Sequence, residues 1–251
     1  MLRAFAATIR DSGIQIPEPQ IWYDLDDGST LTMTGTRVDQ INSKGTIANM
    51  EMLRTEGTSG DNELVDYNGR KVVFSNSGSQ FIATNSEKLD YTFLHDRLLN
   101  NSVFVVFNTV TNTNVNYILG TTRGATAERG YLVYDESRTS QSVTKQLRVI
   151  IARAPTSTFA YWQFFAENSI KTSVLNLYKS SMDNSVINTE IDNQTNTETL
   201  TTTSTMVSSE PLTIARGGLR GSIAEIIIYD RKLTTTEETD VTNYLNNKWS
   251  L

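Results

Sequence analysis

The 251-residue chain contains no cysteine, so disulfides, thiolate zinc sites, thiol nucleophiles and redox-active pairs are all excluded. Histidine occurs once, at His95. Basic residues are in deficit: 22 Lys and Arg against 28 Asp and Glu give a formal charge of -6. Neutralising phosphates takes a clustered excess of Lys and Arg, and no basic stripe is present, so nucleic acid is not expected as a partner. Long apolar runs are missing too. The longest, such as residues 103–107, are strand-sized and far below the ~18 residues that cross a bilayer, so no membrane partner is expected. Near the start, Arg10 and Asp11 interrupt a weakly apolar stretch before an h-region can form, and no small-residue cleavage site follows. The expectation is a chain without a secretion signal, reaching the outside by lysis or within an assembled particle.

What the chain does have is Thr and Asn, in almost wholly polar runs at 109–116 and 193–205. Thr favours strands and Asn favours turns. Short apolar clusters alternate with these runs. Candidate strands are 21–25, 71–74, 80–83, 102–108, 117–120, 130–134, 145–152, 160–166, 173–179, 185–190 and 221–229. Asp27-Gly28, Asn68-Gly69, Ser77-Gly78, Arg123-Gly124 and Gly217-Gly218 supply turns between them. Many short strands with turn signals read as a sandwich or barrel, and a chain this long can bury a core without metal or disulfide staples. Leu147, Val149 and Ile151 alternate with more polar neighbours, as in a half-buried strand. Residues 102–108 and 223–229 are apolar on both faces, which predicts central strands covered on both sides.

One helix is predicted near the end. Thr234 or Thr235, with a Glu three residues later, offers a capping box, and Val241, Tyr244, Leu245 and Trp249 recur at helical spacing. This helix should pack on the sandwich. Pro17 and Pro19 bias their predecessors toward extended backbone and mark a boundary. The expected organisation is an arm over residues 1–19 and one domain over 20–251. In the arm, Leu2, Phe5 and Ile9 lie at near-helical spacing and form a possible docking face.

Three segments stand in a telling order. The first is Ile21-Trp22-Tyr23-Asp24-Leu25-Asp26-Asp27-Gly28-Ser29. The second is Tyr91-Thr92-Phe93-Leu94-His95-Asp96, followed by 102–108. The third runs from Leu212-Thr213-Ile214-Ala215-Arg216 through the 221–233 stretch, with its Tyr229-Asp230-Arg231 turn, to Tyr244-Leu245-Asn246-Asn247-Lys248-Trp249. Together they resemble the laminin G-like, concanavalin A-like family, in the form common in bacteriophage and bacterial surface proteins. The resemblance spans residues 20–251. It implies an all-β, two-sheet antiparallel β-sandwich (a concanavalin A-like jelly roll) with one C-terminal helix packed on it. It implies no single function, because this fold carries lectins, glycosidases, adhesion modules and virion decorations.

The enzymatic branch of that family places carboxylates on one strand as Glu-x-Asp-x-x-Glu. The nearest match, Glu190-Ile191-Asp192-Asn193-Gln194-Thr195, ends in Thr, whereas retaining glycosidases need two carboxylates ~5 Å apart. His95 lacks a nucleophile in a Gly-x-Ser-x-Gly turn and reads as structural. No catalytic residue is assigned and the chain is expected not to be an enzyme. Strand alternation would place Asp24 and Asp26 on one face, where they could share a calcium ion; the alternative is a solvated strand end. Trp22, Tyr23, Tyr161 and Trp162 could stack on sugars, but aromatics on both faces of a sandwich strand read as core.

The expected function is therefore a non-enzymatic bacteriophage virion protein: a capsid decoration, head fibre or tail-associated module on the particle surface. Its partners would be other virion proteins and further copies of itself. The alternative is a carbohydrate-binding adhesin or receptor-binding module for host surface glycans, served by the polar Asn and Thr loops.

Overall fold

The computed structural model describes residues 14–55, 62–76, 79–85, 88–94, 100–110, 115–121, 130–138, 143–152, 161–165, 168–192, 194–199, 210–216 and 219–251. Among them lie seventeen strands and one α-helix. The strands are β1 (Ile21–Asp24), β2 (Leu31–Thr34), β3 (Arg37–Ile41), β4 (Met52–Thr55), β5 (Glu63–Tyr67), β6 (Arg70–Asn76), β7 (Gln80–Ala83), β8 (Asn101–Thr109), β9 (Val115–Gly120), β10 (Gly130–Arg138), β11 (Val143–Ala152), β12 (Tyr161–Phe164), β13 (Asn176–Asp183), β14 (Val186–Ile191), β15 (Gln194–Thr199), β16 (Thr213–Ile214) and β17 (Arg220–Tyr229). The helix is α1 (Thr235–Trp249).

The strands form two antiparallel layers. In the first, β17 is central: β8 pairs with one edge and leads through β13 and β14 to β15. The other edge of β17 takes β6, then β5, along its first half and β1 along its second half. The second layer runs β2-β3-β4-β7-β16-β9-β10-β11-β12. The Arg37–Glu63 bridge between β3 and β5 joins the layers at a corner. The turn at Asn68-Gly69 has both residues at positive φ (54° and 82°), the geometry of a two-residue type I′ hairpin.

Alternation along the strands builds two apolar layers. Ile21 and Tyr23 of β1, Val103, Val105 and Phe107 of β8, Tyr131 and Val133 of β10, and Leu147, Val149 and Ile151 of β11 face one another between the sheets. The intervening Trp22, Phe104, Val106, Ile227 and Tyr229 face outward beneath Val241, Tyr244, Leu245 and Trp249 of α1. This is why β8 and β17 are apolar on both faces: one meets the opposite sheet and the other meets the helix.

A β-bulge sits in β17 between Ile223 and Glu225, opposite Phe107 and Val106 of β8. Strict alternation would send Glu225 to the inter-sheet core with Ile223. The extra residue reverses the faces, as a bulge does. Glu225 then lies opposite Asp24 of β1, on the helix side, while Ile226 and Ile228 return to the core. At Gly221 a Cβ would stand 2.1 Å from the Asn108 carbonyl oxygen, so only glycine permits the approach of β17 to β8 there.

The boundary at the prolines needs correction. Ile16 is buried in the outer cluster with Trp22 and Trp249. Tyr229 donates its hydroxyl to the Pro17 carbonyl (3.1 Å), and Thr46 donates its backbone N–H to that of Pro19 (3.1 Å). Residues 14–19 therefore pack on the domain rather than precede it. An extended segment has no periodicity to reveal a single apolar anchor. Leu2, Phe5 and Ile9 lie outside the described residues, as do His95 and the Ser77-Gly78, Arg123-Gly124 and Gly217-Gly218 turns.

Helix α1 starts where expected. Thr234 is the N-cap, its hydroxyl accepting from the Glu237 N–H, and Glu237 reaches back to the Thr234 N–H (2.9 Å). Arg231 donates two parallel 2.7 Å hydrogen bonds to the Glu237 carboxylate. The Arg231 bonds, with those from Thr234, hold the Glu237 carboxyl at about 2, against its ordinary 4.5. A carboxyl lowered on folding contributes stability above its unfolded value and loses it as pH falls through the folded value. Acid destabilisation between about pH 5 and 2 should therefore be shallower in Glu237→Gln than in the parent. Urea midpoints measured across that range would check this; parallel curves would refute it.

Candidate functional site

The residues of the Trp22-Tyr23-Asp24, Glu225 and Tyr244 to Trp249 segments meet under α1. Glu225 is fully buried, and its carboxylate accepts four hydrogen bonds: from Trp22 Nε1 (2.8 Å) and Tyr244 Oη (2.9 Å) on one oxygen, and from Trp249 Nε1 (2.8 Å) and Lys248 Nζ (3.0 Å) on the other. Lys248 Nζ also donates to Asp24 (2.5 Å) and lies 5.1 Å from the centre of the Trp249 ring. Lys44 pairs with Asp24 (3.2 Å) and with Asp27. Burial pushes the Glu225 carboxyl above its ordinary value against the pull of Lys248. Burial acts the same way on Asp24, but Lys248 and Lys44 outweigh it and hold that carboxyl low. Every polar group of Glu225 is satisfied from within the chain, so this cluster is a fastening for the helix and not a ligand site.

That arrangement overturns the shared calcium site. Strand β1 ends at Asp24, so alternation no longer carries Asp26 to the same face. Asp26 instead accepts from Arg70 Nη1 (2.8 Å) and the Lys71 N–H (2.7 Å). Asp24 faces Lys248 and Lys44, which supply the positive charge a cation would bring. Among the described residues no group of three His, Asp or Glu side chains is placed to hold a metal ion. Adding calcium, or removing it with EDTA, is expected to leave the melting temperature unchanged; a rise of several degrees with calcium would contradict this.

An open groove lies elsewhere on the same layer. Its floor is the helix-side face of β13, β14 and β15, its wall is the start of α1, and its volume is about 240 Å³. Cross-strand register puts Lys179, Glu190 and Thr195 in one row and Ser181, Asn188 and Thr197 in the next. The tight Asn184-Ser185 turn (φ 46° and 83°) holds β13 and β14 in this register. Lys179 lies between two carboxylates, Glu190 (3.0 Å) and Glu238 of α1 (3.6 Å). Lys232 pairs with Asp183 (3.0 Å), and Thr197 donates to Asn188 Oδ1 (2.7 Å).

The groove draws on one residue that the sequence pattern had singled out. Glu190 lines it, but Asp192 leaves the strand at a turn (φ 50°) and pairs with Lys171 (2.9 Å), so the two do not form a pair. Trp22 and Tyr23 are core, as their pattern implied. β12 covers Tyr161 and Trp162, whose side chains lie outside the described residues. Asn188, Thr197 and Lys179 were not singled out, and Thr195 and Glu238 were not connected with Glu190, because sequence order gives no hint that β15 and the helix start meet at β13. The outer face of the second sheet carries Tyr117 and Tyr134 with ring centres 5.7 Å apart and an ion pair between Glu136 and Arg148. Tyr134 and Glu136 are buried, and Tyr117 and Arg148 are partly exposed over them.

No family model matches the sequence, and no curated protein is similar to it. The fold does have solved neighbours. One is the binding domain of botulinum neurotoxin DC in complex with sialylT (TM-score 0.60, 10% identity, covering 91% of this chain and 52% of that one). Another is the Ruminococcus gnavus IT-sialidase CBM40 bound to alpha2,3 sialyllactose (TM-score 0.50, 12% identity, 76% and 97%). A third is Trypanosoma rangeli sialidase in complex with sialic acid (TM-score 0.58, 12% identity, 96% and 36%). This chain thus spans about half the length of the neurotoxin binding domain. At such identities the likeness establishes the architecture alone: an antiparallel β-sandwich, here with one C-terminal helix. These neighbours carry no link to bacteriophage particles.

Proposed function

We propose that this chain is a non-catalytic carbohydrate-binding module whose ligand lies across the β13–β15 face beside α1. The observation that carries the reading is the groove itself: an open cleft of about 240 Å³ whose lining is amide, hydroxyl, carboxylate and ammonium groups held on three paired strands. Such groups match sugar hydroxyls, which both donate and accept. The solved neighbours of this fold, a toxin binding domain and a CBM40 among them, support the same class of ligand. Catalysis is not favoured, because the two groove carboxylates, Glu190 and Glu238, both pair with Lys179.

The particle-surface role rests on the resemblance of three segments. Their residues Trp22, Asp24, Glu225, Tyr244, Lys248 and Trp249 are committed to fastening the helix. The resemblance thus speaks for architecture and gives display on a virion no separate support; docking through Leu2, Phe5 and Ile9, and self-association, stay attached to that weaker reading.

The test is binding of the purified chain to a glycan array, repeated with Asn188→Ala and Thr197→Ala. Each variant should weaken binding by about tenfold, the worth of one or two hydrogen bonds, with an unchanged melting temperature. Absence of glycan binding, or binding indifferent to every groove substitution, would refute the proposal.

A further inference from the structure

The groove's charge layout narrows its ligand, and this step rests on the carbohydrate-binding reading above. Both cations that line it are already engaged: Lys179 by Glu190 and Glu238, and Lys232 by Asp183. The groove's own carboxylates, Glu190 and Glu238, match its two ammonium groups in number, and Asp183 at its edge neutralises Lys232, so no cation is left over for an acidic ligand. Lys179 is also the least accessible of the five, its side chain 14% exposed against 32% for Glu190 and 40% for Glu238. Over the β13–β15 floor a ligand descending from solvent meets Glu190 and Glu238 before Lys179, while the more exposed Lys232 at the edge is already paired with Asp183. An acidic sugar would have to break an existing ion pair and bring its own carboxylate against Glu190 or Glu238. Repulsive elements of this kind set specificity as much as attractive ones do. A neutral sugar meets no such obstacle, since Asn188, Thr195, Thr197 and Ser181 offer amide and hydroxyl partners and the two glutamates accept from its hydroxyls.

We infer that the groove selects neutral, polyhydroxylated oligosaccharides and discriminates against sialylated or uronic-acid-bearing ones. This departs from what analogy with the fold's neighbours would suggest, since those structures hold sialyllactose and sialic acid.

The experiment uses the full chain and an array in which each neutral oligosaccharide is printed beside its sialylated and its uronic-acid-bearing counterpart. Neutral members should bind at least roughly threefold more tightly than their acidic partners, the scale that exposed charge pairs reach. The double variant Glu190→Gln, Glu238→Gln should raise the acidic-to-neutral ratio by roughly threefold to fivefold, because it removes the repulsion and frees Lys179. Its thermal melt verifies that it folds. If acidic members bind as well as or better than neutral ones, the inference is overturned while the carbohydrate-binding reading stands. An unchanged ratio in the folded double variant overturns the charge mechanism. If no glycan binds, the reading itself fails and the inference with it.

Discussion

Glu225→Ala is expected to remove about 3–5 kcal/mol of folding stability, the cost of breaking a buried, hydrogen-bonded ion pair from one side. The mutation removes the carboxylate to which the indole N–H groups of Trp22 and Trp249 and the Tyr244 hydroxyl donate. Lys248 keeps only Asp24 as a carboxylate partner. None of these donors can turn to bulk water, because Trp22, Tyr244 and Trp249 are themselves buried under the helix. Urea denaturation followed by tryptophan fluorescence measures the loss directly, since Trp22 and Trp249 report on the site. A loss below about 1 kcal/mol would mean that the network is dispensable and that apolar packing alone seats α1.

Removal of residues 246–251 is expected to abolish cooperative folding. The deletion takes away Trp249, and burying a large aromatic of this kind is worth about 3–5 kcal/mol. It also takes Lys248, removing from the facing buried carboxylates Asp24 and Glu225 the one ammonium group that the structure shows paired with both. The outward residues Phe104, Val106, Ile227 and Tyr229 lose part of their cover. The contributions touch one another and do not add simply, but together they rival the ~5–15 kcal/mol net stability of a typical domain. The expected signature is loss of a sharp thermal transition with gain of dye binding to exposed apolar surface. A cooperative melt within a few degrees of the parent would refute this.

Legibility in the sequence followed burial. Strands with one or two buried faces could be read from their residues. β7 matched its expected bounds, and β8, β11 and β17 agreed to within about two residues at each end. The helix was legible down to its cap, which the sequence left between Thr234 and Thr235 and the structure places at Thr234, because a capping box is a local hydrogen-bond pattern written in four consecutive residues. By contrast, β2, β3, β4 and β5 were not anticipated. They are short, and residues such as Met33 and Leu53 are exposed, so no clean alternation marks them. β15 was read as part of a polar loop, yet it is a strand. Its side chains at 195–199 are all exposed, and a strand that buries neither face leaves no apolar trace.

The candidate site divides along the same line. Glu190 drew attention as part of an incomplete carboxylate motif, and the structure keeps it while discarding Asp192. Asp24 and Asp26 were joined by assuming that strand alternation continued past Asp24, where it stops. Glu225 was never singled out. It sits in an apolar strand, and nothing in Ala224-Glu225-Ile226 announces a bulge.

The amino-acid sequence by itself determined the all-β class, the terminal helix and its cap, and the two-faced burial of β8 and β17, because each depends on contacts within a few residues or on simple periodicity. Only the tertiary structure decided that a one-residue bulge turns Glu225 toward the helix, that its partners come from β1 and α1, and that β13, β14, β15 and the start of α1 enclose a polar groove. Those outcomes depend on register between strands distant in the chain, and register is settled by packing over the whole sandwich rather than by any local run of residues.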